Sequence, residues 1–513
     1  MDAEADKDAK IVVDPVYGTI HLDFLAVKII DTPYFQRLRY IKQLAFADFV
    51  YPGATHTRFA HSIGVYHLAC QMIKEIEAHI LPEGAAQMST QDKRCIRVAA
   101  LCHDLGHGPF SHLYEQMGEK ILGEDIGQKL KHEKISKFLV EKIFEECDLK
   151  RYLGAEPDQQ IQLTKDLIER ERDLTEDEQA KKYMFQIVSN KDSGVDVDKW
   201  DYFNRDATAC GVPERFQYDR ALSVARVVKT GDGMFELGYR DYIRQTQCTL
   251  NSDDIAPLHI YDAFNMYSMF HTRFSLYRKV YKHKAVQAVD LMITDACNLV
   301  CTANAQSNIP KGTKVDFYPI TSRNKNKRPY SCMKLDDCNY LDVDKYLTLR
   351  DDVLQKIGDS SQKQYKEARG LVQRLHERRL YKLFDEICVK VPESEDAKDK
   401  AEEIKTDIEE RLKKEAKDII DVVEVKLVRF DYGLKQEDPV RKLFFYSKNN
   451  YQYGKELEKD EVFIFCNILS GTDFPLQDRG YIFCSRTYLR LDSKPNFCTR
   501  SSELFAVEHI TAI

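Results

Sequence analysis

Three histidines and an aspartate lie within ten residues at the end of an apolar helical pattern. His103 and Asp104 are adjacent, His107 follows one turn later, and a Gly-Pro pair is expected to end the helix before His112. Imidazole and carboxylate groups are costly to bury without partners. They are also ligands for zinc, iron and manganese. The pattern therefore predicts a divalent metal site, with core histidines satisfied by their neighbours as the alternative.

Two other segments supply residues that could complete such a site. Arg58 and His61 are three residues apart, so on a helix they share a face. Asp198, Tyr202 and Asp206 follow at intervals of four, which places acids along a stripe where a core helix carries aliphatic residues. Taken singly, Arg58 also fits a surface ion pair and the acidic stripe also fits a solvated face.

The composition limits the class of protein. A chain of 513 residues is long enough for roughly two to four domains. Its formal net charge of −7 argues against nucleic-acid binding driven by bulk charge. The 14 cysteines form no C-x-x-C pair and the N-terminus has no apolar signal region, so an intracellular protein of the nucleus or cytoplasm is expected. No apolar run reaches the roughly 18 residues of a membrane span, so no membrane partner is expected.

The elements that would position these residues are mostly helical. Alternation around a proline and a glycine predicts a hairpin over 10–21, and Asp31-Thr-Pro indicates a helix start. Strands are predicted at 315–320 and in the C-terminal tail. The predicted helical segments are 22–80, 92–106, 131–147, 160–190, 196–209, 218–228, 256–305 and 346–390.

The order of the candidate ligands resembles a known family. A single His61, the His103-Asp104 pair and a distant Asp198 follow one another as in the HD-domain metal-dependent phosphohydrolases. Longer segments resemble one group of these enzymes, the animal SAM- and HD-domain-containing deoxynucleoside triphosphate triphosphohydrolases. These segments include DTPYFQRLRYIKQL at 31–44, LCHDLGHGPFSH at 101–112, VDVDKWDYF at 195–203 and MFHTR at 269–273.

The helical pattern and this resemblance imply a mostly α, HD-domain helical fold with a small α+β C-terminal region. No stretch resembles a SAM domain, so a natural short form or a trimmed chain is expected. The expected divisions are a disordered N-terminus at 1–9, an HD-domain catalytic core with an allosteric N-terminal segment at 10–305, a loop and strand insertion at 306–345, a helical region at 346–420 and the α+β region at 421–513.

The resemblance implies hydrolysis of a dNTP to a deoxynucleoside and inorganic triphosphate. His61, His103, Asp104 and Asp198 would hold iron, zinc or manganese, and Mg²⁺ would accompany the nucleotide phosphates. The departing 5′ oxygen needs a proton, and histidines titrate near neutrality. The family favours His112 as the acid, with His107 and His132 binding phosphate. The cations that would clamp the phosphates are Arg58, Lys199, Arg273 and Lys284.

Selection for deoxyribose should come from crowding at the 2′ carbon. By resemblance, Tyr281 and Leu44 close that position, and Gln43 and Asp206 bind the 3′ hydroxyl. Tyr202 would pack against the sugar or the base. A core aromatic remains the alternative for Tyr281.

In the resembled family, a guanine nucleotide and then a dNTP bind at subunit contacts and assemble a tetramer from dimers. The guanine site, for GTP or dGTP, maps onto Lys10, Asp31, Gln36 and Arg39. The second site maps onto Val50, Tyr51, Arg220 and Asn265. This chain departs from the family pattern at four positions. Val13 stands where the family has Asn, His259 and Tyr261 stand where it has basic residues, and Lys282 replaces a Gln. These differences put binding of the second activator and the strength of tetramer control in doubt.

The function implied is control of dNTP pools and, by family analogy, restriction of viral reverse transcription as part of innate antiviral defence. One alternative is an HD phosphohydrolase acting on another nucleotide, as a monophosphatase or a cyclic-nucleotide phosphodiesterase. A second alternative is a nucleic-acid-binding scaffold with a vestigial metal site. The basic loop at 322–328 could contact single-stranded nucleic acid or act as a nuclear signal, although a solvated loop explains it as well.

Overall fold

The computed structural model forms two compact units. The first comprises Met1–Leu276, Tyr318–Asp351 and Glu437–Ser470, and the second comprises Tyr277–Phe317, Asp352–Gln436 and Gly471–Ile513. These units differ from the expected divisions at 305, 345 and 420, because the chain returns twice to the first unit. The structure describes residues 9–241, 261–306, 315, 317–318, 341–392, 403, 406, 409–410, 423–430, 439–447, 450–455 and 480–489.

The predicted N-terminal hairpin is present. Strands β1 (Lys10–Asp14) and β2 (Gly18–Leu22) pair antiparallel. The Asp14 carboxylate accepts the N–H groups of Val16 and Tyr17 at 2.8 and 3.1 Å, which closes the turn. Alternation buries Ile20 and Leu22 of β2, whereas Ile11 and Val13 of β1 are exposed.

The predicted mostly helical fold is confirmed. Helices of the first unit surround a core of aliphatic and aromatic side chains. In chain order these helices are α1 (Phe24–Ile30), α2 (Pro33–Gln36), α3 (Arg58–Glu77), α4 (Thr90–Cys102), α5 (His112–Leu122), α6 (Glu124–Gly127), α7 (His132–Glu146), α8 (Pro157–Ile168), α9 (Glu176–Gln179), α10 (Val197–Cys210), α11 (Tyr218–Ser223) and α12 (Tyr261–Leu276). Short 3₁₀ turns lie at Arg37–Tyr40, Ala47–Phe49, Lys150–Tyr152 and Lys182–Gln186.

The helix that leads to the His-Asp pair ends earlier than predicted. Helix α4 ends at Cys102, rather than at 106 or at the Gly-Pro pair. The main chain leaves the helix to lie against α7, where Ser136 Oγ donates to the His103 carbonyl at 2.5 Å. Gly106 permits this approach, because a Cβ there would lie 2.2 Å from the His132 carbonyl oxygen. A contact between distant segments thus sets the helix end.

The first unit also contains a small barrel that the sequence only partly predicts. Strands β3 (Arg226–Lys229) and β4 (Phe235–Asp241) pair antiparallel and close a barrel with β7 (Phe444–Ser447) and β8 (Asn450–Lys455). The predicted helix over 218–228 is therefore wrong beyond Ser223. Its last part is a strand because the β-branched Val227 and Val228 are buried in the barrel.

The second unit combines helices with a three-stranded sheet. A π-helical turn at Tyr277–Tyr281 precedes the long helix α13 (Lys284–Gln306). The next helix in the chain, α14 (Val343–Thr348), belongs to the first unit. Helices α15 (Val353–Asp359) and α16 (Lys366–His376) follow, and α13 packs on α16. Strands β5 (Lys382–Pro392) and β6 (Val423–Phe430) flank β9 (Gly480–Leu489) in antiparallel order.

Two predictions for this part of the chain need correction. The helical prediction over 346–390 is wrong from Lys382, where β5 begins, because the alternating run pairs with β9. Helix α13 is long and apolar enough to meet the length and composition of a membrane span, contrary to the expectation from the sequence. However, 61% of its most apolar window is buried inside the protein, as in a core helix.

Some predictions fall largely outside the described residues. Of the strand predicted at 315–320, Val315, Phe317 and Tyr318 are described and lie in no strand. The basic loop at 322–328 lies outside the described residues.

Candidate active site

The four predicted metal ligands converge from three helices of the first unit. His61 lies in the first turn of α3, His103 and Asp104 follow α4, and Asp198 is the second residue of α10. His61 Nε2 lies 3.2 Å from His103 Nε2 and 3.0 Å from Asp198 Oδ1. It lies 3.4 Å from Asp104 Oδ2, and His103 Nε2 lies 3.4 Å from Asp198 Oδ1.

These separations fit a single divalent cation. Metal–ligand distances of about 2.0–2.2 Å place neighbouring donor atoms about 3.0–3.5 Å apart in octahedral or tetrahedral geometry. Two imidazole nitrogens and two carboxylates suit a transition metal better than calcium or magnesium, which prefer oxygen ligands. The cluster therefore supports a divalent transition metal at this position.

A second layer of buried groups orients the imidazoles. His61 Nδ1 is 2.7 Å from Asp201 Oδ2, so its Nε2 is left to face the cluster. Asp201 in turn accepts two bonds of 2.9 Å from Arg205, and Arg205 reaches Asp14 of the hairpin at 2.8 Å. His103 Nδ1 lies 2.9 Å from the carbonyl of Ala100 in the preceding helix turn.

The charges around the cluster require a cation. Burial opposes a charge on His61, but hydrogen bonds with Asp198 and Asp201 raise its pKa to about 10. Burial also opposes ionisation of Asp104 and Asp198, yet Arg58 beside Asp104 and the two histidines beside Asp198 hold the pKa of each carboxyl well below its usual range. Without a metal this position attracts protons, and a metal would displace them from the imidazoles.

Arg58 is buried and donates a hydrogen bond to Asp104, one of the four candidate metal ligands. Its Nη1 donates to Asp104 Oδ2 at 2.6 Å, and its Nε donates to Ser111 Oγ at 3.0 Å. The guanidinium therefore joins the metal cluster to the turn before His112.

The three histidines predicted for catalysis form one group with Glu115. The rings of His107 and His132 stack at 3.9 Å, and the His112 ring lies 4.9 Å from that of His107. His132 Nδ1 is 2.7 Å from Glu115 Oε1. The donor atoms of this group lie within 4.8 Å of one another. His107 Nε2 is also 3.2 Å from Asp104 Oδ1, which joins the group to the metal cluster.

Electrostatics divides these histidines into two kinds. Burial, assisted by Arg58, lowers the pKa of His112 to about 4 and holds the pKa of His107 well below its usual range. Burial also disfavours a charge on His132, but the hydrogen bond with Glu115 raises its pKa. A proton therefore resides on His132 more readily than on its two neighbours while no anion is bound.

Comparisons with known proteins agree with this geometry. Residues 58–206 match the profile of the HD domain. The chain is 33% identical over 481 residues to "Deoxynucleoside triphosphate triphosphohydrolase SAMHD1" of Gallus gallus, across 90% of this chain and 70% of that protein. It is similar to the proteins of the same name in Homo sapiens (32% over 473 residues, 88% of this chain, 67% of that protein) and Mus musculus (32% over 473 residues, 88% and 66%).

The chain belongs to the SAMHD1 family. It spans about two thirds of the length of the mouse and human relatives. The HD match begins at Arg58 and ends at Asp206, so it contains every residue of the metal cluster and of the histidine group.

Two of the predicted sugar-binding residues of this SAMHD1-family chain, Gln43 and Tyr202, contact Arg58 and His61. Gln43 is buried, and among the described residues its Oε1 has no hydrogen-bond partner. Leu44 is half-buried and follows directly. Asp206 is buried and pairs with His56 at 2.6 Å, and the Tyr202 ring lies 6.4 Å from that of His61.

The predicted phosphate cations divide between the two units. Lys199 pairs with Asp196 at 2.7 Å, and Arg273 of α12 is close enough to influence its charge. Burial opposes the charge of Lys199, but Asp196 and Asp198 raise its pKa. Lys284 is the first residue of α13 in the second unit. Tyr281 also belongs to the second unit, and its ring contacts that of Tyr277 edge-on at 5.4 Å.

The residues predicted for the guanine site form two polar pairs. Lys10 pairs with Asp31 at 3.1 Å, and both side chains are largely exposed. Gln36 donates to the Ile30 carbonyl at 2.9 Å and accepts from Arg39 at 2.8 Å. The Arg39 guanidinium lies 3.5 Å from the centre of the Phe59 ring.

The residues predicted for the second effector lie on three elements. Val50 and Tyr51 follow the 3₁₀ turn Ala47–Phe49, Arg220 lies in α11, and Asn265 of α12 donates to the Gln217 carbonyl at 2.9 Å. Val13, which replaces a family Asn, is 84% exposed on β1. The side chains of His259 and Tyr261 lie outside the described residues.

Several residues of the site were missed in the sequence. Glu115 carried a local signal, because it lies three residues after His112 on the same helix. Asp201 carried none, because 140 residues separate it from His61. Ser111 and Asp351 were missed for the same reason, and Arg205 was missed although it lies one helical turn after Asp201.

Proposed function

We propose that this protein is a metal-dependent dNTP triphosphohydrolase, which cleaves a dNTP to a deoxynucleoside and inorganic triphosphate. The observation that carries the proposal is the convergence of His61, His103, Asp104 and Asp198 beside a buried arginine and three histidines. The names of the relatives support the same substrate class. The roles of the individual residues in this reaction follow from the side chains around this cluster.

A divalent cation held by the four ligands would acidify a water molecule and neutralise charge on the α-phosphate. Around it, the protein supplies positive charge in fixed positions. Arg58 is held by Asp104 and Ser111, and Lys199 is held by Asp196. Because these cations are oriented before substrate binds, little reorganisation is needed as charge develops on the phosphates.

The leaving 5′ oxygen must receive a proton. His112 is neutral before substrate binds, since its pKa is about 4. Triphosphate oxygens beside its ring would raise that pKa and favour the imidazolium. His132 already carries its proton more readily because of Glu115 and stands 5.3 Å away, ring to ring. We assign His112 as the acid and His132 and His107 as phosphate-binding groups.

The proposal extends to substrate choice. The buried Gln43 amide and the Asp206 carboxylate would bind the 3′ hydroxyl, and Leu44 with Tyr281 would crowd the 2′ carbon. A site without space or partner for an added hydroxyl excludes a ribonucleotide by steric overlap and desolvation.

We also propose regulation by nucleotides and assembly from dimers into a tetramer. Lys10, Asp31, Gln36 and Arg39 offer a cation for phosphate and a hydrogen-bonding edge for guanine. The second effector site is weaker, since Val13 offers a purine or phosphate no polar group. Control of dNTP pools, a role in antiviral defence and a nuclear or cytoplasmic location complete the proposal.

Product analysis tests the reaction. The protein is incubated with dGTP, and with dATP in the presence and absence of GTP, and the products are separated by ion-exchange chromatography. We expect dGTP alone to be hydrolysed, dATP to require GTP, and inorganic triphosphate to appear with the deoxynucleoside. Release of pyrophosphate or of single phosphate would contradict this reaction.

A further inference from the structure

One carboxylate joins two loops that carry residues of the candidate active site. Asp351 follows helix α14, and its Oδ2 accepts the main-chain N–H of Lys42 at 2.8 Å. Its Oδ1 accepts the main-chain N–H of Phe110, also at 2.8 Å. Both atoms of one side chain are therefore used to hold backbone from segments more than 60 residues apart.

Each loop carries residues of the proposed reaction. Lys42 directly precedes Gln43 and Leu44, which are assigned to the sugar. Phe110 lies two residues before His112, which is assigned to the leaving group. Holding Lys42 and Phe110 on one carboxylate fixes the distance between these two sides of the site.

The turn that Asp351 holds has a strained backbone. Phe110 has φ +67°, and Ser111 has φ +56° with ψ −130°. Residues with a Cβ rarely adopt positive φ, and such conformations persist only where surrounding groups hold them. The N–H bond from Phe110 to Asp351 is one such restraint, and it acts immediately before the helix that begins with His112.

A second set of bonds connects the same two loops. Ser111 Oγ donates to the Lys42 carbonyl at 2.7 Å and accepts from Arg58 Nε at 3.0 Å. Arg58 also binds the metal ligand Asp104. Asp351 therefore binds the main-chain N–H of Lys42 and Ser111 binds its carbonyl. Ser111 also connects this loop to the metal cluster through Arg58.

The segment that carries Asp351 also contacts the turn of the His-Asp pair. Tyr346 Oη donates to the Gly106 carbonyl at 2.6 Å. The fully buried Arg37 donates to the carbonyls of Leu349 and His107, at 3.1 and 2.5 Å. This segment thus contacts Gly106 directly, His107 through Arg37, and Phe110 through Asp351.

We infer that Asp351 is a positioning residue, which sets the Lys42–Leu44 loop and the Phe110-Ser111 turn at the spacing that the reaction needs. Only a carboxylate at this position offers two acceptors to two N–H donors, because asparagine would present an N–H₂ group to one of them. Burial raises the pKa of Asp351 to about 6, so the carboxylate form is available at neutral pH. The inference rests on the proposed function.

The test compares Asp351→Asn with Asp352→Asn in the full chain. Asp352 is the matched control, because its exposed carboxylate pairs with Lys356 at 3.1 Å one turn later. Loss of a charge-assisted hydrogen bond predicts a kcat for dGTP that is about ten- to hundredfold lower in Asp351→Asn. The KM for dGTP should rise about three- to tenfold, since the sugar loop is released as well. The control should keep both constants within twofold of the wild type.

Two readouts separate positioning from loss of folding. A variant that is partly unfolded has a lower kcat, but the molecules that remain folded keep the wild-type KM. Hydrogen–deuterium exchange should also rise in peptides covering 40–46 and 108–114 of Asp351→Asn, and nowhere else in the first unit. Unchanged kcat and KM, a lower kcat with unchanged KM, or unchanged exchange in both peptides would each overturn the inference.

A second variant tests the inference if Asp351→Asn does not fold. Ser111→Ala removes the other bond between the loops, so it must lower kcat and raise KM for dGTP as predicted for Asp351→Asn. A Ser111→Ala variant with wild-type constants would then overturn the inference. If the wild-type protein hydrolyses no dNTP, the proposed function fails, and the exchange measurement alone decides whether Asp351 holds the two loops.

Discussion

Replacement of Asp201 by asparagine should weaken metal binding without altering any metal ligand. Asp201 is fully buried, and its Oδ2 lies 2.7 Å from His61 Nδ1. The carboxylate also accepts two bonds of 2.9 Å from Arg205. Asparagine has almost the same shape, but it removes the negative charge and presents one N–H₂ group toward Arg205 or His61. The imidazole then loses the partner that fixes its orientation and increases its basicity.

The size of the effect follows from measured effects of such partners on metal sites. Loss of a group that orients a ligand typically weakens metal affinity by about 10- to 100-fold, which corresponds to about 1.4–2.7 kcal/mol. Burial opposes the charge of Asp201, yet Arg205 and His61 lower its pKa to about 2, so the group is fully ionised in the wild type at neutral pH. The loss should therefore be at the upper end of that range.

The assay removes metal from both proteins with a chelator and then titrates Zn²⁺ or Mn²⁺ against a competing fluorescent chelator. Asp192→Asn is the control, because its carboxylate is 51% exposed and pairs with Lys182 at 3.4 Å. Thermal unfolding of the metal-free proteins reports any loss of the fold separately. A dissociation constant for Asp201→Asn within twofold of the wild type would refute the role of this carboxylate in orienting His61.

Two further predictions concern groups beside the metal cluster and the histidine group. Gly64→Ala should destabilise the fold by about 1–3 kcal/mol or more and weaken metal binding, because a Cβ there would lie 1.9 Å from Asp201 Oδ1. Gly370→Ala, with open space around its Cβ in α16, should be neutral or stabilising in the same thermal unfolding assay, and equal effects would contradict the steric argument. Glu115→Gln removes the group that raises the pKa of His132, so the alkaline limb of the kcat/KM profile for dGTP should move to lower pH. A limb that stays in place would show that protonated His132 is not required.

The sequence alone predicted a metal site and the class of fold. The adjacent His103 and Asp104 indicated the site, and the resemblance of the residue order to the HD-domain phosphohydrolases added the distant His61 and Asp198. The hairpin at the N-terminus was also predictable, because its turn residues and its alternation are local properties. Local signals succeed where a side chain and its neighbours in the chain determine the backbone.

The tertiary structure decided where the elements end and which groups support the ligands. Helix α4 stops at Cys102 because Ser136 and the close approach at Gly106 hold the following turn against α7. The run after Ser223 and the run after Lys382 became strands because distant segments provided pairing partners. None of these causes is visible within a local window of sequence.

The same reason explains the residues that were missed. Asp201 reaches His61 across 140 positions, and Asp351 reaches Phe110 across 241. A buried carboxylate of this kind looks like any acidic residue on a helix or loop until the fold shows which donors it faces. The sequence determined which groups could bind a metal, and only the packing of the chain determined what holds those groups in place.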